Sequence, residues 1–321
     1  CITMYDKKVT SNEPTLLILL LDQSVSMSET MTETEQGEVY SIAKVAKIIS
    51  DTFLYTALRK SVKGDVPKPY IDLAVIGYGN GTRSALPKIP LEQFPFSVEK
   101  LEYTFFAKND SDPDDDSTIP KPRYEWVEER ADGLTPMLAA FTKARAIVEK
   151  WLPDHQESFP PVIINISDGM PTDDHDFIEI LQQSASEYSF HLGDLSQTPL
   201  MIQSKAIREL GTNNGKCLVM NCHISAAGYT PIEFPPSSAE AEAVDPFAKF
   251  MFDMSSVIPE PLREFGIRPV DAEPPGLGMK LEPNARFFVF NAEIESVIRF
   301  MTFGSSGSLG NLSAGQKQLP D

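Results

Sequence analysis

The sequence predicts an α/β fold: a central, mostly parallel β-sheet with helices on both faces. Three observations lead there. Short apolar runs bounded by polar turns alternate with segments of helical period, the pattern of strands joined by crossover helices. The first strand is apolar at six consecutive positions and so on both faces, as a strand buried on both sides must be. The composition can fill a large core: 321 residues, 41% hydrophobic and 23% charged, are ordinary globular values.

The elements follow in order. Thr15–Leu21 is the first strand, apolar without a break from Leu16 to Leu21. Ser41–Lys60 carries Ile42, Val45, Ala46, Ile49, Phe53, Leu54 and Ala57, the i, i+3, i+4 spacing of an amphipathic helix. Ile71–Tyr78 is a second strand, broken by Gly77, Gly79 and Gly81; these lack the Lys-Ser/Thr of a phosphate loop and read as a turn. Residues 82 to about 132 interrupt the alternation with frequent prolines and an acidic run at Asn109–Thr118. An excursion is expected there, a strand pair or hairpin with a mobile acidic tip, flanked by Leu101–Ala107 and Tyr124–Val127. Helical period returns over Pro136–Trp151, with Pro136 suited to the first helical position. Val162–Ser167 is a buried strand, Asp176–Ser189 and Pro199–Leu210 are helices, and Lys216–Ile224 is a strand. A Pro-rich extension at about 226–284 holds a short helix near Asp245–Met254. Arg286–Phe290 is the last strand and Glu293–Phe303 the last helix. The expected organisation is one domain over 1–303, then a Gly/Ser-rich flexible tail over 304–321.

Charge and segment length exclude several partners. Twenty-eight basic residues against 46 acidic ones leave −18 at pH 7, which repels nucleic acid and anionic membrane surfaces alike. No segment reaches the ~20 apolar residues that cross a bilayer, and no export signal is recognisable. Met4, followed by Tyr-Asp-Lys-Lys, is the expected native start. Cys217 and Cys222 sit five apart on one predicted strand, so they point to opposite faces and stay free thiols. With Cys1 they make no disulfide framework, and a reducing cytoplasm is the expected compartment.

The chemistry concentrates just after the first strand, in Asp22-Gln23-Ser24-Val25-Ser26. A carboxylate and two hydroxyls at alternating positions converge at the carboxyl end of a central strand, where α/β sheets bind ligands. Thr135 lies immediately before a helix, and Asp168 of Ser167-Asp168-Gly169 follows another buried strand. All five can therefore share one rim. Taken singly, Ser24, Ser26 or Thr135 could be a helix cap, and Asp22 could accept backbone N–H bonds. Elsewhere signals are plain. The Asp-rich run lacks the Gly and distal Glu of an EF-hand, and His155, His175, His191 and His223 show no paired ligand spacing.

In that order and at those positions, the five residues resemble the metal-ion-dependent adhesion site of the von Willebrand factor A (vWA) family, Asp-x-Ser-x-Ser … Thr … Asp. The resemblance covers residues 12 to about 225, and the final strand and helix also fit. It implies a Rossmann-like vWA fold and one Mg²⁺ or Mn²⁺. Ser24, Ser26 and Thr135 would bind directly, with Asp22 and Asp168 acting mostly through water. Hard oxygens in near-octahedral array suit Mg²⁺. Few direct carboxylates leave the ion attractive to an Asp or Glu carboxylate from a protein partner. Val25 stands where many members have Gly. Glu29 matches one acid of the adjacent second-metal site of some members, whereas Thr30 does not match the next.

Phe159–Gly169 and Asn221–Ser225 look like bacterial cytoplasmic members of the tellurite-resistance type. That likeness implies a stress or signalling role and a protein kinase or PP2C-like phosphatase as partner. Two alternatives have different requirements. A Mg²⁺-dependent hydrolase or phosphatase could use Asp22 as nucleophile, but it needs a second acid two positions on, where Ser24 stands. An extracellular adhesin of the same fold needs export. The expected protein is thus a binding module and not an enzyme.

Overall fold

The computed structural model describes residues 5, 7–33, 39–63, 66–67, 70–84, 103–108, 118–123, 127–185, 194–225, 230–244 and 246–291. Its centre is a seven-stranded sheet. The strands are β1 (Thr15–Asp22), β2 (Ile71–Gly79), β3 (Gly81–Ser84), β4 (Val162–Ser167), β5 (Leu218–His223), β6 (Ile232–Glu233) and β7 (Phe288–Phe290). Their spatial order is β3-β2-β1-β4-β5-β7-β6. The run β2-β1-β4-β5-β7 is parallel, and β3 and β6 are short antiparallel edges. The chain leaves β1 for β2 on one side and later builds β4 on the other. The switch point therefore lies at the carboxyl end of β1, beside β4, where a doubly wound sheet opens a crevice. This is the predicted α/β architecture, consistent with a Rossmann-like vWA fold.

β1 is buried at all eight positions, and period-2 geometry divides its apolar side chains between two cores. Leu17, Leu19 and Leu21 pack with Ile164, Ile166 and Met220 beneath α1 (Ile42–Ser61). Leu16, Ile18 and Leu20 face the other way and pack under α2 (Met137–Trp151), α3 (His175–Ala185) and α4 (Pro199–Glu209). Beyond them, α5 (Ala239–Val244) and α6 (Pro246–Met254) cover the β6–β7 end. α7 (Glu260–Ile267) adds Leu262 to the α1 layer. Helices thus lie on both faces.

Several boundaries differ from the sequence reading. β2 runs on through Gly79 and folds back at Asn80 into β3, because the glycines form a tight hairpin inside the sheet and do not end it. β5 begins at Leu218, since Gly215–Lys216 pairs with Gly211–Thr212 in a separate ladder. α2 starts at Met137, with Pro136 at the capping position. α7 and β6 were not foreseen; α7 is short and buries only Leu262 and Gly266, too little period to read. Within the expected excursion, Tyr103–Lys108 pairs antiparallel with Thr118–Arg123. The acidic run 109–117, the helix predicted at 293–303 and the tail 304–321 lie outside the described residues. No described helix is long and apolar enough to cross a membrane.

Cys217 packs into the α2 layer and Cys222 into the α1 layer, on opposite faces as predicted. Both are free and buried. Burial pushes the Cys217 thiol up to about 12 and raises Cys222 further, so neither presents thiolate near neutral pH. Iodoacetamide should leave both unmodified in the native protein and modify both after denaturation without reductant. Peptide mass spectrometry reads this, and a 217–222 disulfide would contradict it.

Candidate functional site

Three loops meet at the carboxyl end of β1. The first is 22–28, the second 79–80 at the β2–β3 turn, and the third 132–135 before α2. Their backbones interlock: Gln23 N–H donates to Tyr78 C=O at 2.7 Å, Asp132 N–H to Gln23 C=O at 2.8 Å, and Val25 N–H to Gly133 C=O at 3.0 Å. Two glycines permit this approach. A Cβ at Gly79 would stand 2.5 Å from the Gln23 carbonyl oxygen, and one at Gly133 would stand 2.7 Å from Asn80 N. Gly133 also has φ +78°, a conformation in which L side chains are strained.

The five predicted residues fall around this junction. Asp22 ends β1 almost fully buried. Its Oδ1 accepts the Ser24 N–H at 2.9 Å and its Oδ2 accepts the Ser167 hydroxyl at 2.6 Å. The Ser24 and Ser26 hydroxyls are 3.0 Å apart, and Ser26 Oγ donates to Asp168 Oδ1 at 3.0 Å. Asp22, Ser24, Ser26 and Asp168 are therefore one hydrogen-bonded group, and its Ser26–Asp168 bond spans 142 positions of chain. Thr135 joins the same junction through its loop, and its hydroxyl makes no hydrogen bond with any described residue. Ser24 precedes a one-turn 3₁₀ helix (Val25–Ser28) yet its side chain does not cap it, and Thr135 does not cap α2. Of the plain structural roles, only Asp22 accepting a backbone N–H is seen.

Electrostatics mark the group further. Burial raises the Asp22 carboxyl above the usual range, against the pull of its hydrogen bonds from Ser167 and Ser24. Burial, then the charge of Asp22, pushes Asp168 up to about 7; Glu29 adds a smaller push. Two carboxylates facing neutral hydroxyls, with no Lys or Arg in the group, form a site that gains from a cation. The donor set fits a hard divalent ion, being all oxygen and mostly neutral. Among the described residues no group of three or more His, Cys, Asp or Glu side chains is placed to hold a metal ion; the group here has two carboxylates and otherwise hydroxyls.

The raised Asp168 value makes a signed prediction for the metal-free protein. Between about pH 4 and pH 7 the folded chain holds a proton that the unfolded chain has released. Its contribution to stability is complete below about pH 4 and is lost as pH rises through about 7. With chelator present, wild type should lose roughly 3 °C or more in Tm relative to Asp168→Asn over that interval. A wild-type-minus-variant difference that does not change with pH would contradict it.

Sequence reading missed the loop after Asp168. Thr172 Oγ1 accepts the Thr135 N–H at 2.9 Å. Asp173 accepts the N–H groups of Leu138 at 3.0 Å and Ala139 at 2.9 Å. Buried Asp174 accepts Phe177 N–H and Leu200 N–H. The Thr-Asp-Asp run just before a helix was a cap signal, but it caps three helices, two of them distant. Also missed was a buried polar seam beneath the site. The Tyr78 hydroxyl donates to Asn165 Oδ1 at 2.7 Å, Asn165 Nδ2 donates to Asn221 Oδ1 at 3.0 Å, and Asn221 Nδ2 reaches Ser255 Oγ at 3.0 Å. An Asn amid Val-Ile-Ile-Asn-Ile was the available signal.

No protein-family model matches the chain, and no curated protein matches it. Solved structures give remote likenesses. The three N-terminal domains of the type V pili tip protein Mfa5 from Porphyromonas gingivalis share 14% identity over 49% of this chain and 20% of that one, with TM-score 0.26. The PilB minor pilin from Streptococcus sanguinis shares 11% identity over 94% and 62%, with TM-score 0.44. Manganese-loaded TRAP protein from Plasmodium vivax shares 12% identity over 90% and 72%, with TM-score 0.37. The chain thus spans about a fifth of the Mfa5 structure and under two thirds of PilB.

Proposed function

We propose that this chain is a metal-dependent protein-interaction module that binds a partner's Asp or Glu carboxylate. The observation that carries this is the linked group Asp22–Ser24–Ser26–Asp168, to which the loop carrying Thr135 is tied by the Val25 N–H bond to Gly133 C=O. Ser24, Ser26 and Thr135 would hold one Mg²⁺ or Mn²⁺, with Asp22 and Asp168 behind them, mostly through water. The bound ion would supply a positive centre, contacted directly only by neutral hydroxyls and water, that attracts an external carboxylate.

The chain's own residues do the rest. Ser167 and the Ser24 N–H orient Asp22. The two carboxylates would act mostly through water, so no carboxylate of this chain would touch the ion directly and it would keep an affinity for an external one. Val25 and Leu134, 59% and 67% exposed, stand next to the hydroxyl residues and offer apolar contact around a charged centre, as interface cores do. The −18 net charge repels free anions, so only a carboxylate presented on a complementary surface should seat. No catalytic step is assigned. Ser24 stands where a hydrolase built on Asp22 would need its second acid, and a hydroxyl does that work poorly near neutral pH. A cytoplasmic stress or signalling system, with a kinase or PP2C-like phosphatase as partner, is the setting implied by the tellurite-resistance-type resemblance alone.

The test is partner capture from an extract of the native host under three conditions: untreated, chelated, and with Thr135→Ala. Losing one side of a buried charge contact costs about 2–5 kcal/mol, or ~30- to several-thousand-fold in affinity. Capture should fall that far with chelator, and about tenfold in Thr135→Ala, which removes one neutral ligand and no charge, while the variant stays folded. Equal capture in all three would assign the partner to another face.

A further inference from the structure

Thr135 and Asp168 come from loops far apart in sequence, yet each is useful to a cation only if the other is fixed. We infer that Thr172, supported by Asp173, is a positioning residue that locks Thr135 to the Asp168 loop, an inference resting on the metal-site reading above. Thr135 and Thr172 form a closed pair: Thr135 N–H donates to Thr172 Oγ1 at 2.9 Å, and Thr172 N–H donates back to Thr135 C=O at 3.0 Å. One residue further, the two oxygens of Asp173 take the Leu138 and Ala139 N–H groups at 3.0 and 2.9 Å. They thereby satisfy the orphan donors of the first turn of α2. Asp168 lies just before Thr172 on the same loop. The loop's far end is fixed by Asp174, fully buried between the starts of α3 and α4.

Helix capping alone does not account for this arrangement. Thr135 precedes the helix, which begins at Met137, so its N–H is not an orphan of α2. The bond to Thr172 fixes the residue carrying the candidate ligand hydroxyl, and does so from the loop carrying the candidate carboxylate. Two hydrogen bonds thereby tie Thr135 to the loop that carries Asp168.

Mn²⁺ titration of the full chain tests this with wild type, Thr172→Val, Thr172→Ser, Thr135→Ala and the double variant Thr135→Ala/Thr172→Val. Valine keeps the shape and removes the acceptor; serine keeps the acceptor. Thr172→Val should weaken Mn²⁺ binding roughly tenfold, the worth of one hydrogen bond to a positioned group, and Thr172→Ser by no more than about twofold. The double variant should bind as Thr135→Ala does, because Thr172 acts only through Thr135. Independently of metal, hydrogen exchange of the Thr135 amide should speed about tenfold in Thr172→Val. Wild-type affinity in Thr172→Val, or a full extra penalty on top of Thr135→Ala, would overturn the inference while leaving the metal site standing. Wild type that takes up no Mn²⁺ would overturn both.

Discussion

Replacing Asp22 with alanine should lower Mn²⁺ affinity at least ~100-fold. This carboxylate is almost fully buried behind Ser24 and Ser26, so little water screens it. Unit charges about 4 Å apart near a protein surface interact by about 4 kcal/mol, and a dication doubles the charge on one side. A loss of that size needs only ~2.7 kcal/mol. Alanine also leaves the Ser24 N–H and Ser167 hydroxyl without their acceptor, so the 22–28 loop relaxes. Asp22→Asn separates the effects, since the amide oxygen can still accept the Ser24 N–H while the charge is gone. Both variants should fail in calorimetric Mn²⁺ titration, and the Asn variant should keep a Tm close to wild type. Undiminished affinity in Asp22→Asn would remove Asp22 from the site.

The second large effect falls on stability. Asn165→Ala cuts the polar seam at its middle. The Tyr78 hydroxyl loses its acceptor and Asn221 Oδ1 loses its donor, both fully buried. Each stranded polar group costs about 1–3 kcal/mol, and a cavity adds to that. A loss of about 3 kcal/mol or more is expected, with Tm down ~6 °C or more and an unchanged denaturant m-value. A loss under about 0.5 kcal/mol would mean the seam is already hydrated.

Much of the fold was legible because it rests on local pattern. An unbroken run of six from Leu16 to Leu21, ended by the polar Asp22-Gln23-Ser24, reads as a strand buried on both sides, and the spacing of Ile42, Val45, Ile49 and Phe53 lines one helix face. The five candidate residues were legible for a topological reason: strand ends and helix starts of a doubly wound sheet share one rim. What fixes them in place was not. Thr172 meets Thr135 across 37 residues and Asp173 meets Leu138 across 35; no period joins such positions. Gly79 reads as a turn residue, whereas its role, like that of Gly133, is to let backbones touch. Likewise Lys47 and Asp51 form an i, i+4 ion pair on α1. They are buried, and Asp51 also accepts the Val127 N–H at 3.1 Å, a partner 76 residues away. The short α7 gave too few apolar positions to be seen at all.

The central claim is a divalent cation seated among Ser24, Ser26 and Thr135 with Asp22 and Asp168 behind. Anomalous diffraction from crystals equilibrated with Mn²⁺ tests it most directly. One strong anomalous peak is expected at coordination distance from the Ser24 and Ser26 hydroxyls, about 2.0–2.3 Å, and none in Asp22→Asn crystals. A map with no peak there at saturating Mn²⁺, or with its peak on another part of the molecule, would contradict it.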